Sequence, residues 1–268
     1  MPDTGRDFQV VLLPKTRQAI GDMLHEGQKK HMIHGLTEVD VTRPRQIIAE
    51  HKTRTGEKLS FTAFVTTCLA QAVDENKMMH AYRGRRNKIV LFDEVDVNTQ
   101  IERDLNGRKW VMPYIIRAAN KKSFLEIHRE IRAAQVKEVD DARERKQFDL
   151  YLKLPRFARR LFWWYLRRSP HKTKQIAGTV GVTSIGMFGR GGGWGIPITT
   201  QTLLLTLGGI SQKPGVVDGL IEVREFLSLT ATIDHDIVDG APAARFLKRL
   251  AELLESGYGL MTELTADG

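Results

Sequence analysis

Hydrophobic residues recur along the chain with two different periods. A period of about 3.6 residues, typical of amphipathic helices, predicts helices at 14–30, 45–51, 61–73, 123–144 and 241–256. Alternation and short apolar runs predict strands at 33–41, 88–100, 109–117, 178–184, 200–207 and 225–233. Because helices and strands interleave without a linker, repeat or low-complexity tract, the pattern predicts one α/β domain over residues 1–268.

Local signals mark several ends of these elements. Ser60 stands before a mostly apolar run, where its hydroxyl suits an N-cap, and Ser123 with Glu126 has the spacing of a capping box. Turns are predicted at 105–107 and at 213–215, where Pro and Gly are adjacent.

Composition is that of a globular protein, with 268 residues, 41% hydrophobic and 27% charged. A single cysteine, Cys68, excludes an intramolecular disulfide, and the first residues lack the basic and apolar regions of a secretory signal. The uncharged stretch 191–212 contains six glycines and a proline, which favours a glycine-rich loop before a buried strand over a membrane span. We therefore expect a cytoplasmic protein.

Charge is concentrated in one place. The formal net charge is +9, yet residues 145–174 hold ten basic residues against one acid, so the rest of the chain is neutral. A general affinity for polyanions, nucleic acid included, is therefore not expected.

This basic segment, residues 145–174, is also rich in aromatic residues. Seven of the 20 aromatic residues lie at 148–168, and Pro155 is suited to open a helix there. Helical spacing puts Leu154, Phe157, Ala158, Leu161 and Tyr165 on one side and Arg156, Arg160 and Arg167 on the other. Such a stripe can pack on its own protein or a neighbouring subunit, lie on a membrane surface, or hold a partner protein or an anionic ligand.

A candidate chemical motif lies at 232–240, between a strand and an amphipathic helix. His235 stands among Asp234, Asp236 and Asp239, and an imidazole is well matched to proton transfer near neutral pH. The alternatives are a structural histidine, an N-cap role for Asp239, and a metal site built from His235 and the three carboxylates.

The motif resembles a known signature. Residues 234–240, followed by Ala-Arg-Phe at 244–246, are similar to the D-H-R-x-x-D-G…A-R-F pattern of the catalytic domain of dihydrolipoamide acyltransferases, the core components of 2-oxoacid dehydrogenase complexes. Residues 14–21, 31–42, 58–73, 110–132 and 178–189 resemble further motifs of that family in the same order. The basic segment is the part without a counterpart, since a short loop stands there in the family.

The resemblance implies a fold and a mechanism. The fold would be a chloramphenicol acetyltransferase-like two-layer α/β sandwich, with a mixed β-sheet and helices. His235 would remove the proton from the thiol of coenzyme A or dihydrolipoamide, and Thr183, in place of the family serine, would donate to the oxyanion. Asp239 would pair with Arg17 and support the histidine loop. The active site would lie between subunits of a homotrimer or of an assembly of trimers, with Thr183 and His235 from neighbouring chains.

Further expectations concern ligands and partners. Ser184, Trp194, Lys121 and Lys122 are candidate substrate contacts, the lysines for coenzyme A phosphates. Coenzyme A is expected as a substrate, with no metal, and with no lipoyl attachment site in this chain, so a separate lipoyl-domain protein could supply acyl groups. Residues 148–168 could contact a membrane surface.

Two departures limit the resemblance and leave alternatives open. Asp236 replaces an arginine, and residues 198–200 replace the family's Asn-Pro-Pro. A non-catalytic trimeric scaffold and an acetyl-CoA-dependent small-molecule acetyltransferase are the alternative functions.

Overall fold

A computed structural model describes residues 8–105, 108–136, 150–186 and 191–261. Its strands are β1 Met32–Asp40, β2 Tyr82–Arg83, β3 Ile89–Val90, β4 Val97–Leu105, β5 Arg108–Ile116, β6 Val180–Ser184, β7 Leu203–Val217 and β8 Leu220–Asp234. Its helices are α1 Lys15–Gly27, α2 Thr42–Thr55, α3 Phe61–Glu75, α4 Phe124–Val136, α5 Arg156–Arg167, α6 Pro170–Ala177 and α7 Gly240–Glu255, with 3₁₀ turns at Lys77–His80 and Ala119–Lys121.

Six strands form one mixed sheet in the order β1-β8-β7-β6-β4-β5. The pairs β4–β6 and β6–β7 are parallel, and the other pairs are antiparallel. As a result, the C-terminal end of β8 and the N-terminal ends of β7, β6 and β4 lie at the same end of the sheet. Strands β2 and β3 form a separate two-stranded sheet.

The two faces of the sheet differ in chemistry. On one face Leu203, Leu205, Leu229 and Ile233 are buried in the core, where α3 packs against α4 and α7. The other face carries hydroxyl residues at the intervening positions of β7 and β8 (Thr206, Ser228, Thr230 and Thr232), which are also buried. This alternation has the period of two expected of strands, and it places polar groups on the side opposite the helices.

Two N-caps are confirmed. The amide of Ala63 donates to the Ser60 hydroxyl at 3.2 Å, at the start of a helix whose residues 63–70 are buried. At α4 the amide of Glu126 donates to the Ser123 hydroxyl at 3.2 Å, and the amide of Ser123 donates to the Glu126 carboxylate at 2.7 Å. In the described residues α4 ends at Val136, whereas 137–144 of the predicted helix lie outside them.

The predicted turn at 213–215 is wrong, because β7 runs through it. Pro214 pairs in register with Val223, and the hairpin turns instead at Asp218 and Gly219, both with positive φ. Beyond Leu207 the strand has lost its β6 neighbour, so Pro214 can sit there without removing a ladder hydrogen bond. The other predicted turn includes residues 106 and 107, which lie outside the described residues.

A glycine pair in β7 brings two backbone segments together. A Cβ on Gly208 would overlap the carbonyl oxygen of Gly193, and a Cβ on Gly209 would overlap that of Gly191. The amide of Gly209 donates to the Gly193 carbonyl at 3.2 Å. The glycine-rich loop therefore lies directly on the sheet, where a side chain would hold it away.

The basic segment forms α5 and most of α6, and of the alternatives left open for its apolar stripe, packing on its own chain is not observed for three of its five positions. Phe157, Leu161 and Tyr165 of the expected apolar stripe are 75%, 61% and 48% exposed, whereas Arg159 is buried. Arg159 donates to the Asp22 carboxylate of α1 at 2.6 Å, and Tyr151 donates to the same carboxylate at 3.0 Å. This ion pair turns the apolar stripe away from its own chain.

None of the helices in the described ranges is long and apolar enough to cross a membrane.

Candidate active site

His235 lies directly after β8, on the loop that leads into α7. Its side chain is exposed, and its backbone amide donates to the carbonyl oxygen of His31 at 2.8 Å. Among the described residues, none forms a hydrogen bond with its imidazole ring, which therefore remains accessible to a substrate.

The carboxylates on either side of His235 fix this loop. Asp234 is 3% exposed, accepts from Lys30 Nζ at 2.7 Å and accepts from the amide of Asp236 at 3.1 Å. Asp236 lies with its Oδ1 2.9 Å from His31 Nδ1. The two residues that precede β1 thus bond the loop before and after His235. The histidine is positioned by these contacts of its neighbours, and its own side chain takes no part in them.

The sequence reading missed Lys30 and His31 as part of this site. His31 belongs to one of the motifs that carried the resemblance, but no local pattern pairs it with a residue 205 positions later. The pairing depends on the register of β1 with β8, in which Met32 lies opposite Asp234.

The expected pair between Arg17 and Asp239 does not form within one chain. Both residues are exposed, and neither takes part in an ion pair within the part of the chain that the structure describes. The helix α1, which carries Arg17, is bonded to α5 through Asp22. Asp239 is the N-cap residue of α7, but its side chain makes no capping hydrogen bond.

Thr183 is distant from His235 within one chain. In register, Thr183 lies beside Thr206 and Thr206 lies beside Thr230, five residues before the histidine. At about 3.3 Å per residue and about 4.8 Å per strand, the two side chains are about 19 Å apart. One chain therefore does not bring the expected base and oxyanion donor together.

The expected substrate contacts are also spread over the molecule. Ser184 is half-buried beside Leu207, and Trp194 donates to the carbonyl oxygen of Thr37 at 3.3 Å. Lys121 is exposed, whereas Lys122 donates to the Glu130 carboxylate at 2.6 Å. Both lysines follow β5, four strands away from β8, or about 19 Å across the sheet.

The metal alternative gains no support. Within the described ranges, no group of three or more His, Cys, Asp or Glu side chains is arranged to hold a metal ion. Two of the three carboxylates around His235 are already hydrogen-bonded to basic side chains.

Comparison with known proteins identifies the family. The model of the family described as 2-oxoacid dehydrogenases acyltransferase (catalytic domain) matches residues 5–149 and 167–262. The unmatched residues 150–166 fall inside the basic segment. The human mitochondrial dihydrolipoyllysine-residue succinyltransferase component of the 2-oxoglutarate dehydrogenase complex is 24% identical over 93% of this chain. This chain spans half the length of that relative.

Two solved structures share the fold. The cubic core of a pyruvate dehydrogenase multienzyme complex superimposes with a TM-score of 0.69 at 18% identity, covering 97% of each chain. Dihydrolipoamide acetyltransferase of Azotobacter vinelandii superimposes with a TM-score of 0.68 at 18% identity, again covering 97% of each chain. The latter structure was determined to study the catalytic roles of a serine, a histidine and an asparagine. The serine stands 52 positions before the histidine in that protein, and the asparagine stands four after it.

The predicted fold, a mixed sheet with helices in the acyltransferase arrangement, is confirmed by these superpositions. With 241 of 268 residues matched, the chain belongs to the family of 2-oxoacid dehydrogenase acyltransferase catalytic domains.

Proposed function

We propose that this chain transfers an acyl group between two thiols, coenzyme A and dihydrolipoamide or a similar thiol, with His235 as the general base. The observation that carries the proposal is the exposed imidazole of His235, on a loop in which the residues on either side, Asp234 and Asp236, are hydrogen-bonded. Lys30 and His31 bond the carboxylates of Asp234 and Asp236 and so anchor the loop, while no described residue bonds the ring of His235, which can accept a proton. Family membership supplies the reaction class.

The chemistry follows from the properties of thiols. A free thiol with a pKa of about 8.5 is mostly protonated at neutral pH, and the thiolate is the nucleophile. His235 would take the S–H proton, and the thiolate sulfur would form a bond to the thioester carbonyl carbon. The resulting oxyanion collapses, the original carbon–sulfur bond breaks, and the departing thiolate recovers the proton from the imidazolium.

Thr183 is the proposed oxyanion donor. It stands 52 positions before His235, and Asp239 stands four after it, which are the separations of the serine and the asparagine from the histidine in the Azotobacter vinelandii enzyme. A threonine hydroxyl can donate a hydrogen bond as serine does, although β-branching restricts its rotamers. Asp239 would support the histidine loop from the start of α7.

We further propose that the site forms between subunits of a trimer. Thr183 and His235 are about 19 Å apart within a chain, so they can act on one substrate if they come from neighbouring chains. Five large apolar side chains are at least 42% exposed on or near the glycine-rich loop: Leu36, Ile185, Trp194, Ile196 and Ile198. A patch of this kind on a globular protein is typical of an interface. Assembly of trimers into a larger core would follow the cubic relative.

Two partners complete the proposal. A separate lipoyl-domain protein would deliver acyl groups on dihydrolipoamide. The outer face of α5, which exposes Phe157, Leu161 and Trp164 beside Arg156 and Arg160, would hold a cytoplasmic assembly peripherally on an anionic membrane.

The direct test is turnover of acetyl-CoA and succinyl-CoA with dihydrolipoamide, measured by chromatography of the coenzyme A released. We expect His235→Ala to lower kcat by about 10²–10⁴-fold, because general-base catalysis contributes that much. His25→Ala, at an exposed histidine of α1, is the matched control and should keep full activity. No turnover by the unaltered chain, or equal turnover by His235→Ala, would contradict the proposal.

A further inference from the structure

A cavity of about 390 Å³ lies between the helices of the basic segment and the loop that carries His235. Its size falls in the range of small-molecule sites. The cavity is lined by side chains of α5 and α6, by β2, by the end of α1 and by the histidine loop. His235 itself is not among the lining residues, although Asp234, Asp236 and Ile237 of its loop are.

Part of the cavity lining is apolar. Trp163 and Leu166 of α5, Ile176 and Ala177 of α6, and Ile237 of the histidine loop contribute to its lining. Trp163 is held in place by a hydrogen bond from its indole Nε1 to the Tyr151 hydroxyl at 2.9 Å. An apolar body of a ligand would therefore find a preformed surface, with one wall fixed by α5.

The charged groups of the lining have an excess of positive charge. Five are basic and three are acidic: Lys29, Lys30, Arg83, Arg167 and Arg168 against Glu26, Asp234 and Asp236. Arginine is suited to a ligand with an oxyanion, because its planar guanidinium donates two parallel hydrogen bonds to a carboxylate or phosphate.

The acids of the lining already have partners. Glu26 is bonded by Lys29, Asp234 by Lys30 at 2.7 Å, and Asp236 by His31 at 2.9 Å. Lys29 and Lys30 therefore offset the charges of Glu26 and Asp234, which leaves Arg83, Arg167 and Arg168 against Asp236.

The arginines are less closely paired than the lysines of the lining. Arg83 donates to the amide oxygen of Asn87 at 3.1 Å, and Arg167 approaches Glu26 no closer than 3.8 Å. Within the described residues no carboxylate lies nearer to either of them. Both guanidinium groups can therefore still donate to a ligand in the cavity.

We propose that this cavity binds an organic anion with an apolar body and a terminal oxyanion, that is, an alkyl carboxylate or an alkyl phosphate. The apolar body would lie against Trp163 and Ile176, and the oxyanion would be bound by Arg83 and Arg167. Part of the α5 wall falls in residues 150–166, which the family model does not match. This part of the cavity wall is therefore specific to this chain. The proposed site does not depend on the proposed acyl transfer.

The test is isothermal titration calorimetry of the full chain with octanoate and, separately, octyl phosphate. We expect at least one of them to bind with one site per chain, and the tighter of the two identifies the preferred oxyanion. Arg83→Gln and Arg167→Gln should each weaken binding about tenfold or more, the loss expected for one charge-assisted contact. Ala177→Trp, at a half-buried lining position, should reduce the space and weaken binding.

Arg160→Gln is the matched control, since Arg160 is an exposed arginine of the same helix that does not line the cavity. His235→Ala should bind the anion as tightly as the unaltered chain, which separates this site from the proposed active site. Circular dichroism verifies that each variant is folded. Absence of binding by both probes, or equal weakening by Arg160→Gln and Arg167→Gln, would overturn the proposal.

Discussion

Asp236 follows the histidine at a position where the family resemblance leads to an arginine. Its carboxylate lies against His31, so its negative charge is engaged on the side of β1 instead of standing free beside the substrate. The carboxylate that Asp236 brings in place of the arginine is therefore hydrogen-bonded by His31. The sequence predicts His235 from its motif, but it does not predict Lys30 and His31, because their contacts arise from pairing of β1 with β8 across about 200 residues of chain.

Another histidine gives the fold a dependence on pH. His80 is fully buried, with Nδ1 3.2 Å from the Thr179 hydroxyl, and Nε2 has no hydrogen-bond partner among the described residues. Burial lowers the pKa of His80 from 6.5 to about 4, because the charged imidazolium is poorly solvated there. Between those two values the unfolded chain binds a proton that the native chain does not bind.

The free energy of unfolding should therefore fall as the pH drops below 6.5, by about 2 kcal/mol by pH ~5. Urea unfolding at about pH 7 and about pH 5 measures this loss. His80→Gln, which cannot titrate, should lose much less stability over the same interval, whereas His25→Gln should behave as the unaltered chain. An equal loss in His80→Gln would assign the effect to other groups.

At the scale of elements, the helix caps and the amphipathic helices follow from sequence, whereas the facing of α5 does not. Helical spacing puts Phe157 and Leu161 opposite Arg156 and Arg160, yet all four are exposed, and the spacing cannot tell which of several arginines is buried. Arg159 is selected by Asp22 and Tyr151, which lie outside α5. The same limit applies to the hairpin: Pro and Gly at 214 and 215 indicate a turn, yet β7 passes through them where it has no β6 neighbour.

The outer face of α5 should bind anionic membranes. Phe157, Leu161 and Trp164 present apolar surface, and Arg156 and Arg160 can meet lipid headgroups. Flotation with vesicles containing phosphatidylserine should carry the protein upward, and the double variant Phe157→Ser, Leu161→Ser should stay at the bottom of the gradient. Because both residues are exposed, the variant should keep its fold.

The control for flotation is Val216→Ser, Val223→Ser, which removes two equally exposed apolar side chains from the β7–β8 hairpin. It should float with the vesicles as the unaltered chain does. Failure of the unaltered chain to float would leave α5 as a contact between subunits.

At the scale of the molecule, the order of helices and strands and the mixed sheet follow from the sequence motifs, since most of these residues build the core. The separation of Thr183 from His235 does not appear in those motifs, because it results from the order of strands in the sheet. A site shared between chains makes a sharp prediction: His235→Ala and Thr183→Val, each inactive alone, should complement each other.

Denaturing and refolding the two variants together should restore about one quarter of the unaltered activity, because one site in four then combines an intact His235 with an intact Thr183. Thr183→Ser, which keeps a hydroxyl, should be active alone. Recovery is measured by the same release of coenzyme A, and refolding each variant separately is the control. Lack of recovery in assemblies that sedimentation proves to be mixed would place both groups of each site in one chain.

The contact between the glycine-rich loop and β7 is made by backbone on both sides, through Gly208 and Gly209 against Gly193 and Gly191. The path of the loop is therefore set without reference to its own side chains. Ile196, which is 62% exposed on this path, can be exchanged with little effect on the shape beneath it. Over evolutionary time, such a surface can change what it recognises while its contour stays the same.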